Sequence, residues 1–171
     1  GVKYWYDGSP LAGSMYMSKP YVSSKLTKES IRIDSGHKGE HLIAPKEMRN
    51  IIQNLQSKGW QIATHAHGDQ ALDDMLDAYE AINKTTPVKD FRHRLEHCML
   101  LNGRNIKRMN ALNMTPSLHI NFIYYYGDAL KNDILGKDRV ETILQTNTAF
   151  KNKVHPSLHA DQPMYDSDPF S

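Results

Sequence analysis

The chain has 171 residues, of which 39% are hydrophobic and 23% are charged, and its formal net charge at pH 7 is +2. This length and balance are typical of one globular domain with a buried core, and they exclude a disordered chain. Lysine and arginine are scattered, so charge indicates neither a nucleic-acid partner nor an anionic membrane surface. No apolar run approaches the ~20 residues that a membrane span needs, and the first residues lack the features of a signal peptide.

The cysteine and histidine counts carry more information than the charge. A single cysteine, Cys98, excludes an internal disulfide framework and favours a reducing compartment, so we expect a cytoplasmic protein. The sequence leaves open whether the chain forms a homo-oligomer. The unusual number is nine histidines, which are unevenly placed along the chain.

Strand-like and helix-like segments alternate along the sequence. Residues 2–7 predict a first strand, and residues 8–40, which are rich in Gly, Ser, Pro and Tyr, predict a long loop. The remaining elements are predicted as helix 45–58, strand 60–65, helix 70–84, strand 91–97, helix 104–112, strand 115–119, helix 139–150 and strand 157–161.

Two residues are predicted to mark helix ends. Gly59 has the position of a helix C-cap, and Asp69 that of an N-cap. The acidic residues of the second helix alternate with an apolar stripe and are predicted to face solvent without a catalytic role: Asp73, Asp74, Asp77 and Glu80.

The alternation predicts βα units, a parallel sheet and the α/β fold class. Five strands do not close a barrel, and the chain opens within a strand, so we expect a fragment whose missing strands come from sequence outside these residues.

Candidate metal ligands occupy the predicted strands, mostly at their ends: Lys3, His65, His97, His119 and Asp161. In parallel α/β barrels the active site lies at the C-terminal ends of the strands. Neutral imidazoles and carboxylates are ligands of zinc and related ions, which acidify a bound water. The pattern favours hydrolysis. Taken singly, each residue also has an ordinary interpretation: a surface lysine, a core histidine or a turn aspartate.

Five motifs, VKYWYDGS, THAHGDQALDDMLDAYEAI, RHRLEHC, IYYYGD and SLHADQP, occur in the order seen in the amidohydrolase superfamily. The branch that the chain resembles contains the N-substituted formamide deformylases. The resemblance implies a distorted (β/α)8 barrel beside a small β-domain. Residues 1–171 would be the C-terminal portion of that catalytic barrel and would supply strands four to eight, a partial (β/α)8 TIM-type barrel.

The resemblance also implies roles for particular residues. Lys3 would be the carboxylated lysine that bridges two metals, His65 and His97 would be ligands from the following two strands, and Asp161 would be both ligand and proton shuttle. The expected cofactor is one or two divalent ions, with zinc the expected metal.

Further residues are predicted to contact a small-molecule amide-type substrate. His119, Tyr124 and Tyr126 lie in the region of the seventh barrel strand, where Phe122 replaces a histidine common in relatives. Asp7 could approach the substrate, although Asp-Gly-Ser is also ordinary turn chemistry. His67 is placed behind the ligands, because a metal-binding pair of His65 and His67 would require three further strands before the next histidine strand.

Three functions follow as hypotheses. The first is hydrolysis of a non-peptide carbon–nitrogen bond, in an amide or formamide, by metal-activated water with Asp161 moving the proton. The second is a catalytically incomplete barrel remnant. The third is a binding module that holds one metal through His65, His67 and His97 without chemistry.

Overall fold

The sheet is parallel throughout the part of the chain that the computed structural model describes, residues 1–87 and 92–165. Each strand pairs with its neighbours in chain order. The strands are β1 (Val2–Trp5), β2 (Ile62–Ala66), β3 (Arg94–His97), β4 (Thr115–His119) and β5 (Ser157–His159). The predicted α/β class is confirmed, and the predicted strand at 115–119 has the observed bounds.

Helices connect the strands. They are α1 (Pro45–Ser57), α2 (Asp69–Asn83), α3 (Gly103–Ala111), α4 (Asn121–Ala129), α5 (Lys137–Val140) and α6 (Thr146–Lys151). A short 3-10 turn (Pro10–Ala12) and two π-helical segments (Leu26–Ile31 and Leu130–Ile134) complete the elements. None of the helices in the described ranges is long and apolar enough to cross a membrane.

The ends of α1 and α2 test the predicted caps. Gly59 follows α1 with φ +79°, and its N–H donates to Gln56 O over 3.0 Å, so the predicted glycine ending is confirmed. The predicted N-cap of α2 is wrong, because Gly68 holds that position and Asp69 is the first helical residue. A Cβ at Gly68 would lie 1.7 Å from Tyr16 O, so the close passage of the backbone requires glycine there.

Several predicted elements differ from the observed ones, and one observed helical region was not predicted. The predicted helix 139–150 is interrupted between α5 and α6, where Leu144 has φ +48° and its N–H donates to Met99 O over 3.0 Å. The predicted strand 91–97 begins at Arg94, and residue 91 lies outside the described residues. Residues 121–134, for which no helix was predicted, are helical.

The hydrophobic core has two parts. The larger part joins the helical layer to one face of the sheet and includes Ile52, Leu72, Met75 and Leu95, all fully buried. The smaller part lies between the 8–40 segment and α4 with its π-helical extension, and its buried members are Met15, Met17, Tyr21, Met99, Leu100, Phe122, Leu130, Ile134 and Leu135. Each large buried side chain stabilises the fold by about 2 kcal/mol relative to exposure.

The opposite face of the sheet is polar. Arg94 and Glu96 form an ion pair there, with Nη2 2.7 Å from Oε1. The strand register places Glu96 level with His65 and with Ser117. A cavity of about 500 Å³ is lined by Arg94, Glu96 and Ser117 and reaches Asp161.

Candidate metal centre

Five histidine rings meet at the C-terminal ends of β2 to β5. The centroid of the His97 ring lies 4.3, 4.5, 4.9 and 5.6 Å from the centroids of His65, His67, His159 and His119, respectively. The rings of His119 and His159 are stacked at 5.0 Å. Parallel strands end at one edge of a sheet, so side chains from four strands converge at this edge.

The backbone at the end of β3 is unusual. Glu96 faces the ion-pair side of the sheet, so regular strand alternation would direct His97 towards the helical layer. Instead His97 and Cys98 have φ of +71° and +48°, in the left-handed region. This conformation costs a non-glycine residue about 1–2 kcal/mol. With this backbone conformation, the His97 ring lies among the other histidines and not in the helical layer.

Asp7 supports the turn between β2 and α2. It is fully buried, and its carboxylate accepts hydrogen bonds from the backbone N–H groups of His67, Gly68 and Tyr16 over 2.9, 2.9 and 3.0 Å. Burial raises the pKa of Asp7 to about 7. Both oxygens are engaged within the protein, so Asp7 holds the His67 backbone and the 8–40 segment in place.

The histidine rings are neutral at pH 7. Burial lowers the pKa of His65 and of His119 to about 4, and it lowers the pKa values of His67, His97 and His159 as well. A neutral imidazole is the form that binds a metal. Desolvation therefore prepares these side chains as ligands.

Several ring nitrogens are buried without a hydrogen-bond partner in the described residues: His67 Nε2, His97 Nδ1, His159 Nε2 and both nitrogens of His119. A buried polar group without a partner costs about 1–3 kcal/mol. Such groups are uncommon in native proteins, and a cluster of them indicates a place for a ligand.

Three sets of side chains place their ligand atoms within 4.8 Å of one another. They are His67–His97–His119, Asp7–His65–His67 and His97–His159–Asp161. The structure thus brings the predicted ligands His65, His97 and Asp161 into one neighbourhood, although no single set contains all three. An imidazole and carboxylate donor set of this kind fits zinc and related divalent ions.

The sequence profile of the amidohydrolase family matches residues 1–171. The chain belongs to the amidohydrolase family. The predicted family is thereby confirmed, while the branch resembling formamide deformylases stays a prediction.

This amidohydrolase chain matches a part of longer relatives. Putative amidohydrolase YtcJ of Bacillus subtilis is 28% identical over 145 residues, which are 84% of this chain and 26% of that protein. Protein LONG AFTER FAR-RED 3 of Arabidopsis thaliana is 24% identical over 169 residues, 99% of this chain and 27% of that protein. The chain therefore spans about a quarter of the length of these relatives.

A solved structure supports the fold assignment. The crystal structure of an uncharacterized metal-dependent hydrolase from Pyrococcus horikoshii matches 99% of this chain and 31% of its own, with a TM-score of 0.79 and 28% identity. The five-stranded parallel sheet of this amidohydrolase chain thus corresponds to about a third of a metal-dependent hydrolase barrel, which confirms the predicted partial barrel.

Lys3 of the amidohydrolase chain lies on β1, opposite Ala63, while Trp5 lies opposite His65. Lys3 is therefore on the face of the sheet that carries His65, two residues before the level of that histidine. Its Nζ lies 5.3 Å from the centroid of the Trp5 ring. Carboxylation of Lys3 and its role as a bridging ligand remain predictions.

The predicted substrate residues fall in different surroundings. His119 is buried at the end of β4, within the histidine cluster. Tyr124 and Tyr126 lie on α4, and Tyr124 is 80% exposed. Tyr126 packs against Phe122, which contacts His119 edge-on with ring centroids 4.5 Å apart. Of the two tyrosines, the structure therefore brings Tyr126 nearer to the cluster.

His159 is the member of the cluster to which the sequence assigned no role. It precedes Asp161 by two residues, the spacing that puts two side chains of a strand on one face. That spacing was the available signal for His159.

Proposed function

We propose that this chain is part of a metal-dependent hydrolase that cleaves a carbon–nitrogen bond in a small amide or formamide. The observation that carries the proposal is the cluster of five neutral imidazoles, four of them buried and that of His159 half-buried, beside Asp161 at the C-terminal edge of a parallel sheet. Membership of the amidohydrolase family supports a hydrolase.

The residues proposed to hold the metal are His65, His97 and Asp161, with Lys3 from the neighbouring strand. The predicted metal is zinc. When bound, a divalent ion supplies Lewis-acid chemistry, since it polarises a carbonyl oxygen and makes a water molecule more acidic.

Asp161 is proposed to move the proton. It follows β5 with φ +56°, and its side chain borders the cavity on the polar face of the sheet. Its carboxylate would accept a proton from the attacking water and then donate it to the nitrogen of the leaving amine. The water oxygen forms the new bond to the carbonyl carbon, and the carbon–nitrogen bond breaks, giving a carboxylic acid and an amine.

The remaining predicted residues are proposed to position the substrate. His67 and His119 belong to the cluster and Tyr126 lies near it, so these three side chains are proposed to contact the amide group or its substituents. Tyr124 is proposed to contact a part of the substrate that extends to the surface. Asp7 acts through the backbone of His67, because its oxygens already accept hydrogen bonds.

The test uses the full-length protein, its His65→Ala/His97→Ala variant and a His155→Ala control, since His155 is an exposed histidine that packs on Phe150. Metal content is measured by plasma mass spectrometry, and turnover is measured on a panel of formamides and amides. We expect about one or two divalent ions per chain in the wild type and in the control. The double variant should lose most of the metal, and chelation should abolish turnover until zinc is restored.

Two outcomes would contradict the proposal in different ways. Equal and negligible metal in wild type and double variant would remove the ligand assignment. Metal that is bound normally, with no turnover across the panel, would leave a metal-binding chain without hydrolytic activity.

A further inference from the structure

The chain turns directly after β5, and this 161–165 turn begins with Asp161. The carbonyl oxygen of Asp161 accepts a hydrogen bond from the N–H of Met164 over 3.1 Å, which closes the turn. Residues 162–164 are exposed, whereas Asp161 and Tyr165 are half-buried. The two ends of the turn are therefore more deeply packed than the residues between them.

Tyr165 places its ring among aromatic side chains of β4 and α4. The ring stacks on Tyr125 with centroids 5.1 Å apart, and it meets His119 at the same distance with an interplanar angle of 63°. Its hydroxyl donates to the hydroxyl of Tyr126 over 3.3 Å. The Phe122 ring lies 6.2 Å away. Aromatic pairs contribute about 0.5–1.5 kcal/mol each beyond the area that they bury, so these contacts fix the end of the turn to the neighbouring elements.

The backbone of Asp161 has a conformation that its surroundings must maintain. Its φ is +56°, in the left-handed region, which costs a non-glycine residue about 1–2 kcal/mol. Such a conformation persists where the structure on both sides restrains it. On one side, Leu158 and His159 pair with β4. On the other side, the restraint with printed ring contacts is Tyr165.

We propose that Tyr165 is a positioning residue for Asp161, the carboxylate to which proton transfer is assigned in the proposed hydrolysis. Its ring holds the 161–165 turn, so that the carboxylate stays beside the histidine cluster and the cavity that it borders. Proton transfer requires donor and acceptor within about 2.6–3.2 Å. A displacement of about an ångström costs on the order of a hundred-fold in rate. This inference rests on the proposed function, because it gives Tyr165 a part in that reaction.

The ring and the hydroxyl of Tyr165 make separable contributions. The hydroxyl makes one hydrogen bond, and its 3.3 Å is longer than is usual between two hydroxyl groups. The ring contacts several aromatic side chains. Tyr165→Phe keeps the ring and loses the hydrogen bond, whereas Tyr165→Ala loses both. We therefore expect the alanine variant to lose the anchoring of the turn and the phenylalanine variant to keep most of it.

The test compares four forms of the full-length protein: wild type, Tyr165→Phe, Tyr165→Ala and the control Phe150→Ala. Phe150 is a suitable control because it is an aromatic residue that is 52% exposed on α6, where it packs on His155. Steady-state kinetics with excess zinc give kcat and KM on an amide that the wild type hydrolyses. Hydrogen–deuterium exchange of residues 158–165 gives a second readout that does not depend on turnover.

In Tyr165→Ala we expect kcat to fall by about a hundred-fold, with KM within about three-fold of the wild type, because Asp161 acts in proton transfer. Exchange of the 161–165 turn should become faster in the same variant. Tyr165→Phe should stay within about five-fold of the wild-type kcat, since it loses one weak hydrogen bond. Phe150→Ala should match the wild type in both readouts. A purely structural role for Tyr165 would instead lower the free energy of unfolding and leave the kcat of the folded variant unchanged.

Three results would overturn the proposal. They are a wild-type kcat in Tyr165→Ala, a loss of kcat without faster exchange of the turn, and an equal loss of kcat in Tyr165→Phe and Tyr165→Ala. If urea unfolding shows that Tyr165→Ala is unfolded, Tyr165→Leu, which retains more apolar volume, is judged by the same criteria. Absence of turnover in the wild type is the separate failure of the proposed function, and hydrogen exchange then still shows whether Tyr165 anchors the turn.

Discussion

Two clusters of polar side chains differ in how well the fold satisfies them. The first, the Arg108 cluster, joins α3 to α2 through Arg108 and the carboxylates of Asp73, Asp77 and Glu80. Arg108 Nη1 lies 3.0 Å from Asp73 Oδ1, and Nε lies 2.6 Å from Glu80 Oε1. Each charged group of this cluster has an opposite charge within hydrogen-bond distance.

The second cluster, the five histidines at the edge of the sheet, is buried more deeply and leaves ring nitrogens unsatisfied within the described residues. The fold alone accounts for the Arg108 cluster, since ion pairs connect two helices. It does not account for the histidines, because burying ring nitrogens without partners costs free energy. The contrast is what we expect between a structural cluster and the functional cluster that we propose.

The largest expected effect comes from His97→Ala, because His97 belongs to two of the three ligand sets. We expect the full-length variant to lose its metal and about a thousand-fold in kcat/KM for an amide substrate, since a catalytic metal stabilises the transition state by several kcal/mol. Metal analysis and steady-state kinetics measure both effects. If this variant kept the metal content and the activity of the wild type, the histidine cluster could no longer be distinguished from the Arg108 cluster as the functional one.

Acid should destabilise the metal-free protein through the histidines. His65 has its pKa lowered from 6.5 to about 4 on folding, so below pH 6.5 the unfolded chain binds more protons than the folded one. The stability that neutral His65 contributes is present above pH 6.5 and is lost as pH falls towards 4. Between pH 7 and pH 5 the loss is about 2 kcal/mol for a histidine with this shift.

Asp7 opposes this trend, because its pKa is raised from 3.8 to about 7 and its protonated form favours the folded state at low pH. Between pH 7 and pH 5, protonation of Asp7 therefore offsets the loss of stability that about one such histidine causes. Urea unfolding at pH 7 and pH 5 measures the net change in the free energy of unfolding between the two pH values. This change should be smaller in His65→Gln than in the wild type, and the same as the wild type in His155→Gln. An identical change in wild type and His65→Gln would show that burial does not hold the ring neutral.

A smaller effect is expected from Arg108→Met. The variant removes hydrogen bonds from a guanidinium that is only 13% exposed and leaves three carboxylates near one another. We expect the free energy of unfolding to fall by about 2 kcal/mol, with metal content unchanged. Urea unfolding and metal analysis provide the two readouts.

The matched control is Arg104→Met. Arg104 also pairs with Asp73, over 3.3 Å, but its side chain is 68% exposed. An exposed ion pair contributes about 0.5 kcal/mol or less, so this variant should unfold almost as the wild type does. Metal loss in Arg108→Met, without unfolding, would mean that the two clusters are coupled.

Much of the fold follows from local pattern. Helix α1 was predictable because Met48 and Ile52 recur at helical spacing and Gly59 marks the end. The sheet was predictable because short β-rich runs alternate with such helices. His65, His97 and Asp161 were predicted as ligands partly because strand ends are where a parallel sheet places its functional side chains. The structure brings them into one neighbourhood, and their roles as ligands remain predictions.

The differences arise where tertiary contacts decide the local structure. Helix α4 contains three consecutive tyrosines, which are not strong helix formers. Its residue Phe122 packs in the smaller core beneath the 8–40 segment, a tertiary contact that local pattern does not reveal. Leu144 interrupts the predicted last helix through a bond to the distant Met99. Of the four acids of α2 that were predicted to face solvent, only Asp77 is exposed, and the other three are half-buried. Arg108 pairs with three of the four acids, but it comes from another helix, so periodicity could not reveal it.

The order of the strands has a consequence for how the protein is made. Within the described residues, every pair of neighbouring strands is also consecutive in the sequence. These five strands can therefore join the sheet one βα unit at a time as the chain leaves the ribosome. The histidines of the cluster come from β2 onwards, and His159 and Asp161 are synthesised with the last unit. The His97–His159–Asp161 set is therefore complete only once β5 has been made.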